Sequence, residues 1–341
     1  MGLVPTSDFP GAAGYLNTAS IGLPPAQAVA AMRVELDDWV AGRSRAPAYD
    51  AVVARARATW ARLHGTDPAH VAIGPQVSYF AGLVAASLPG AEVVAYESDF
   101  ASLLYPLLIR NDLRMKFVPL DRLADAVGPD TALVAVSAAQ SADGRVADLD
   151  AIASAARAHD ALTIVDATQA SGWLPLDAGR FDFLITAAYK WMLCPRGTAF
   201  MAVRPGLLDA LPPLAAGWYA AEQPWEMVYG PPLRLASDAR RFDMSPAWLP
   251  WIGTAEALDY IEGVGIEKIH EHDVRLANRL REGLGMAPSD SAMVIVEREG
   301  AAQALADAAI VATAATGSLR LCFHLYNGDD DVDAVLSALA R

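Results

Sequence analysis

The sequence predicts an α/β fold, a three-layer αβα sandwich around a mainly parallel sheet, with a small α+β unit at the C-terminus. Short apolar runs such as AEVVAY, ALVAVSA and ALTIV alternate with helical segments. Runs apolar on both faces suit strands covered on both sides. From Met293 onward the order becomes β-α-β-β-α, over MVIVE, AAQALADAA, IVATAAT, SLRLCFHL and DDVDAVLSALA, which marks off a second unit. With 341 residues, 54% of them hydrophobic, the chain can fill one large core and a smaller one. The expected division is a large domain over residues 15–245 and a small one over 246–341, joined by residues 1–14.

In order, Pro24-Pro25 lead into a helix from Ala26 to Trp39, and a polar loop precedes a second helix, Ala51 to Leu63. VAIGPQVSYFAGLVAASL reads as strand, turn and a helix opening near Val77. Strand AEVVAY, a helix through Leu103–Leu108, strand MKFVPL, a short helix at RLADAV and strand ALVAVSA follow. A helix from Ala151 to His159 leads to two buried strands, Ala161 to Val165 and Phe181 to Ala188. Pro- and Trp-rich sequence from Leu211 to Pro232 reads as a long ordered loop, which in a compact domain is usually functional. A helical stretch from Pro250 to Leu284, broken near Gly263–Gly265, leads into the C-terminal unit.

A net charge of −14 without any Lys/Arg cluster argues against nucleic acid or an anionic membrane as partner. Cys194 and Cys322 are too few and unpatterned for a disulfide framework or a zinc site, so no metal is expected. The first residues lack a basic region followed by an apolar core, and no run approaches a membrane span. A cytoplasmic protein is expected.

The chemistry is concentrated in ALTIVDATQASGWLPLDAGRFDFLITAAYKWMLCPRGTAF, residues 161–200. One strand ends at Asp166, with Gln169 beyond. The next delivers Tyr189-Lys190-Trp191, then Pro195-Arg196-Gly197. A carboxylate and a lysine at neighbouring strand ends suit a ligand outside the carboxyl edge of a parallel sheet. An isolated pair of this kind reads equally as a surface salt bridge. Yet the chain has only three lysines, Lys116, Lys190 and Lys268, so a lysine in an apolar stretch points to what guanidinium cannot do: lose a proton and attack a carbonyl.

Such a lysine, forming a Schiff base with an aldehyde cofactor, needs an acid for the pyridine nitrogen, an anchor for phosphate and an aromatic for the ring. Asp166 supplies the acid. Gln76, Val77 and Ser78 stand at a helix start, where free N–H groups suit an anion; most strand-to-helix turns carry similar residues for turn chemistry alone. No P-loop or G-x-G-x-x-G fingerprint is present, so nucleotides are not indicated. Phe100 follows strand AEVVAY and can stack on a planar ligand, although packing is the commoner role of such an aromatic. Arg320, between apolar neighbours, either faces solvent or holds a carboxylate. Cys322 and His324 share its face and read as packing or satisfied polar residues. Cys194 reads as a buried small hydrophobe rather than a reactive thiol.

At VDATQASG and AYKWMLCPRGTAF the chain resembles the class V aminotransferase family of fold-type I pyridoxal-phosphate enzymes, which includes cysteine desulfurases, isopenicillin-epimerase-like proteins and kynureninases. The resemblance runs from YLNTASIGLPP to LYNGDDDVDAVLSAL. It implies pyridoxal 5'-phosphate as cofactor, held by a Schiff base to Lys190, with Asp166 at the pyridinium nitrogen and Gln169 at the ring hydroxyl. It further implies Phe100 against the ring, Ser141 as a polar contact, and Gln76, Val77, Ser78 and Tyr189 around the phosphate. Arg320, with Asn17, would bind a small amino-acid substrate by its carboxylate. Ser245, in RRFDMSPAW, stands where a threonine from the other subunit reaches the phosphate, which implies a homodimer with a shared active site.

Two departures shape the expected activity. Desulfurases carry a persulfide-forming cysteine upstream of the carboxylate-binding arginine, and here that region, EGAAQALADAAIVATAATGS, has none. The phosphate loop has Gln76 and Val77 in place of small residues. Together AAGWYAAEQPW and RRFDMSPAW are faintly similar to kynureninases. Amino-group transfer is the expected reaction. A lyase acting by C–S cleavage or β/γ-elimination and an amino-acid epimerase are the alternatives, and a non-catalytic binding protein on the same fold is more remote.

Overall fold

Val94, Val134, Val165, Leu184 and Phe200 enter one buried core, and their chain neighbours Val93, Leu133, Ile164, Phe183 and Met201 enter another. This alternation is the period-2 geometry of strands buried on both faces. The strands carrying it form one seven-stranded sheet in a computed structural model, which describes residues 2–315 and 318–340. Thr316, in the expected strand IVATAAT, lies outside the described residues.

The elements are α1 (Ala26–Val40), α2 (Tyr49–Leu63), β1 (Val71–Gly74), α3 (Val77–Ser87), β2 (Glu92–Tyr96), α4 (Ala101–Leu108), β3 (Arg114–Val118), α5 (Leu123–Ala126), β4 (Thr131–Ser137), α6 (Leu149–Ala158), β5 (Leu162–Asp166), β6 (Phe183–Ala187) and β7 (Ala199–Val203), then α7 (Trp248–Val264), α8 (Ile266–Gly283), β8 (Met293–Val296), α9 (Ala301–Asp307), β9 (Thr313–Ala315), β10 (Ser318–Cys322) and α10 (Asp329–Leu339). The large sheet has the order β1-β7-β6-β5-β4-β2-β3. β3, β2, β4, β5 and β6 are mutually parallel, whereas β7 runs antiparallel to both β6 and β1. The fold is thus the expected sandwich, with α3 and α4 contributing to the core on one face and α2, α6 and α7 to that on the other.

The C-terminal sheet, β8-β10-β9, is antiparallel and has its own core with α8, α9 and α10. The N-terminus joins it through backbone bridges from Tyr15 to Val311 and from Asn17 to Cys322. α7 packs on α1 and α2, and its Trp251, Ala255, Leu258 and Ile261 sit in the large core. We propose that the boundary between the units falls at Gly265, whose φ of 94° breaks the helix between α7 and α8.

The long loop after β7 is ordered by short 3-10 turns at Trp218–Ala220 and Pro224–Glu226. Tyr219 and Trp225 both donate to the Asp50 carboxylate. Farther on, Asp243 accepts from buried Arg57 at 2.6 Å and from the Ile73 amide at 2.8 Å, which ties the loop to β1. Among the described residues no helix is long and apolar enough to cross a membrane.

Candidate active site

The parallel strands end along one edge of the sheet, and the residues at and just beyond their ends enclose a cavity of about 220 Å³. Gln76 and Val77 come from the turn between β1 and α3. Phe100 follows β2, Ser137 ends β4 and Ser141 follows it, and Asp166 ends β5 with Thr168 and Gln169 beyond. Tyr189 and Lys190 come after β6, and Arg196 and Gly197 precede β7. Eight candidate residues therefore meet in one cavity: Gln76, Val77, Phe100, Ser141, Asp166, Gln169, Tyr189 and Lys190.

The loop carrying Lys190 is held by close backbone approach. Gly22 donates its amide to the Tyr189 carbonyl at 3.0 Å, and any Cβ on Gly22 would collide with the Lys190 carbonyl. Gly172, at φ 112°, packs in the same way against the Trp191 carbonyl. Side chains at either position would displace the loop. Behind it, His324, wholly buried, lies 2.9 Å from the Trp191 carbonyl through Nε2 and 2.9 Å from Asp273 through Nδ1.

Lys190 is buried, and loss of hydration pushes its amine down to about 8, with Asp166 opposing that shift and Arg320 and Arg196 adding to it. The amine lies over the rings of Phe100 and Tyr189, at 5.3 and 5.6 Å from their centroids, and makes no hydrogen bond among the described residues. Burial drives Asp166 the other way, up to about 6, against the hydrogen bonds that it accepts from Thr168. Asp99 contributes to that rise; its carboxylate accepts from the Ser137 amide and hydroxyl and from the amide of Phe100.

Four candidates lie off the cavity wall. Ser78 is the second residue of α3 and is half-buried. Ser245 is exposed on the loop before α7. Asn17 accepts the Thr313 hydroxyl through its Oδ1. Arg320 is buried and donates to the carbonyl and hydroxyl of Ser141 and to the Ser20 hydroxyl, which leaves Nε without a partner. Ser141 thus stands between Arg320 and the cavity. Gln169, on the wall, donates through Nε2 to Ser141 Oγ and to the Ala19 carbonyl.

Cys194 is buried, with its thiol pushed up by lost hydration, and donates to the Met192 carbonyl. Burial likewise raises Cys322. Neither resembles an activated thiol. Sequence reasoning missed Ser102, Ser137, Thr168 and Arg196 on the wall. Of these, Arg196 carried a signal, as a cation within an otherwise apolar stretch next to the lysine motif.

The chain is similar to known proteins of one family. The family model described as Aminotransferase class-V matches residues 109–303. An "Uncharacterized aminotransferase YcbU" of Bacillus subtilis (strain 168) is 28% identical over 310 residues, 84% of this chain and 82% of its own. A kynureninase of Deinococcus radiodurans is 28% identical over 303 residues, 81% of this chain and 73% of its own. Among solved structures, a mutant of C-DES with glycine covalently linked to the PLP cofactor superposes with a TM-score of 0.88 at 22% identity, covering 99% of each chain.

Proposed function

The chain belongs to the aminotransferase class-V family, and from that premise we propose that it transfers the amino group of a small α-amino acid. Its cofactor is pyridoxal 5'-phosphate, and the cavity fits that group. Lys190 offers an amine with a depressed pKa and no hydrogen-bond partner among the described residues, and Asp166 offers a buried carboxylate without a guanidinium partner. When bound, the cofactor supplies an electron sink for charge at the substrate α-carbon.

In this reading Lys190 holds the cofactor aldehyde, Asp166 keeps the pyridine nitrogen protonated, and Phe100 covers the ring. Gln76, Val77, Ser78 and Tyr189 surround the phosphate, with Ser245 supplied by a second copy of the chain. Arg320 draws the substrate carboxylate towards Ser141, with Asn17 behind it, and Lys190 Nζ, once free, takes up the α-proton and returns it within the same cavity.

The observation that carries the proposal is the buried Lys190 amine lying over Phe100 and Tyr189 in the cavity that Asp166 also lines; burial lowers its pKa, so one amine can act as base and then as acid near neutrality. Among the described residues no second amine lines the cavity, which favours transfer over an epimerase working with an amine base on each face. Desulfuration through a persulfide is disfavoured because both cysteines are buried with raised thiols.

The test is a panel of α-amino acids given to the loaded enzyme without an acceptor. Transfer predicts one equivalent of 2-oxo acid per site, then arrest until a 2-oxo acid is added. Continuous release of pyruvate, ammonia or sulfide would assign a lyase instead, and loss of optical activity without oxo acid an epimerase.

A further inference from the structure

Among the described residues Arg196 is the one arginine on the cavity wall, and no carboxylate of theirs neutralises it. Its guanidinium carbon lies 5.2 Å from the centre of the Tyr189 ring, and it makes no hydrogen bond or ion pair among the described residues. Arg240 and Arg241, on the loop after β7, are by contrast engaged with Asp238, Glu222 and Asp209. Arg320 is occupied by Ser141 and Ser20.

Its place in the fold is set by the one antiparallel strand of the large sheet. β7 pairs with β1 in a register that opposes Ala199 to Gly74. The residues before Ala199 therefore lie beside those after Gly74, and Arg196 and Gly197 line the cavity together with Pro75 and Gln76. The turn is fixed locally. Gly197 takes φ 101°, the Thr198 hydroxyl donates to the Pro195 carbonyl at 3.0 Å, and Thr254 of α7 donates to Thr198.

The neighbouring helix start needs such a cation. α3 begins at Val77 without a side-chain cap, since Gln76 makes no capping bond. Its open N–H groups and dipole amount to roughly half a positive charge, far less than a phosphate dianion carries. Lys190 is committed elsewhere in the reading above, on which this inference rests.

We infer that Arg196 is the counter-cation of the cofactor phosphate, closing the anion cradle formed by the start of α3 and Tyr189. Tyr189 holds the guanidinium by its ring face while the N–H groups address the phosphate oxygens.

The experiment is reconstitution of the apoprotein with pyridoxal 5'-phosphate and, separately, with pyridoxal, which lacks the phosphate, in wild type, Arg196→Gln and Arg196→Lys. Affinities are read from the visible band, and far-UV circular dichroism checks folding. Arg196→Gln should weaken binding of the phosphorylated form on the order of ten- to a hundredfold while pyridoxal binding is unchanged. Arg196→Lys should recover part of the loss, and the salt dependence of binding should be shallower in Arg196→Gln than in wild type. An Arg196→Gln protein that keeps the wild-type preference for the phosphorylated form would overturn the inference while leaving the phosphate at α3. So would a selective rise in KM for acidic amino acids with that preference intact, which would give the guanidinium to the substrate. A wild type that binds both forms equally would remove the phosphate cradle itself, and the inference with it.

Discussion

Trp191 donates its indole N–H to Oε1 of Gln169 at 2.8 Å. The residue after the lysine thereby holds the residue three places after the aspartate, and the two strand ends of the site are one unit. The chain of bonds continues from Gln169 Nε2 to Ser141, and Ser141 accepts from Arg320. On the far side, the Trp191 carbonyl meets His324. Lysine loop, aspartate loop and C-terminal unit are therefore linked through buried polar contacts rather than through apolar packing alone.

Replacing Trp191 by Phe keeps the ring in place but strips the donor from a buried acceptor. Urea unfolding should show a loss of about 1–3 kcal/mol, the usual cost of a buried group left unpaired. Pyridoxal 5'-phosphate should also dissociate faster from the loaded variant. Unchanged stability would mean that the Gln169 carbonyl oxygen finds another partner.

The Asp273–His324 pair is fully buried, and burial pushes His324 down to about 3 and Asp273 well up. Nε2 faces the Trp191 carbonyl, and burial disfavours a charge on either partner, so the pair is expected to be neutral, with Asp273 donating to Nδ1. Asp273→Asn preserves a donor at that place and should cost no more than about 1 kcal/mol by urea unfolding. Asp273→Ala leaves Nδ1 unpaired beside a void and should cost about 3 kcal/mol or more. A large loss in the Asn variant would identify a charged pair, whose disruption costs several kcal/mol.

Much of this site was legible in the chain. Lys190 and Asp166 stood out because each ends an apolar run, and burial on both sides of the sheet is what makes such runs. The helices from Ala26, from near Val77 and across Gly265 were marked by periodicity and by glycine. The direction of β7 was not, because Ala199–Val203 has the same apolar pattern whichever way it runs. With that direction hidden, nothing placed Arg196 beside Gln76. Asp273 and His324 are 51 residues apart, and a buried polar pair leaves no spacing in sequence. The strand pattern left Arg320 open between solvent and a carboxylate, and only the fold shows it buried against Ser141.

Lys190 reacts as the free amine. Its folded pKa, about 8 rather than the ordinary 10.5, means that the reactive fraction rises with pH and levels off above about 8. The rate at which the visible band forms from apoprotein and pyridoxal 5'-phosphate should follow that curve, half-maximal near pH 8. A rate still climbing steeply at pH 10 would mean an amine that keeps its ordinary pKa.

Lys190, as the residue proposed to take the cofactor, is one of only three lysines in the chain, so the attachment point can be read directly. The loaded protein is reduced with borohydride, which fixes the lysine–cofactor bond, then digested and analysed by peptide mass spectrometry. The cofactor mass should appear on the peptide containing Lys190, and not on those containing Lys116 or Lys268. A label on either of those lysines, or no label in a protein that shows the visible band, would contradict that assignment.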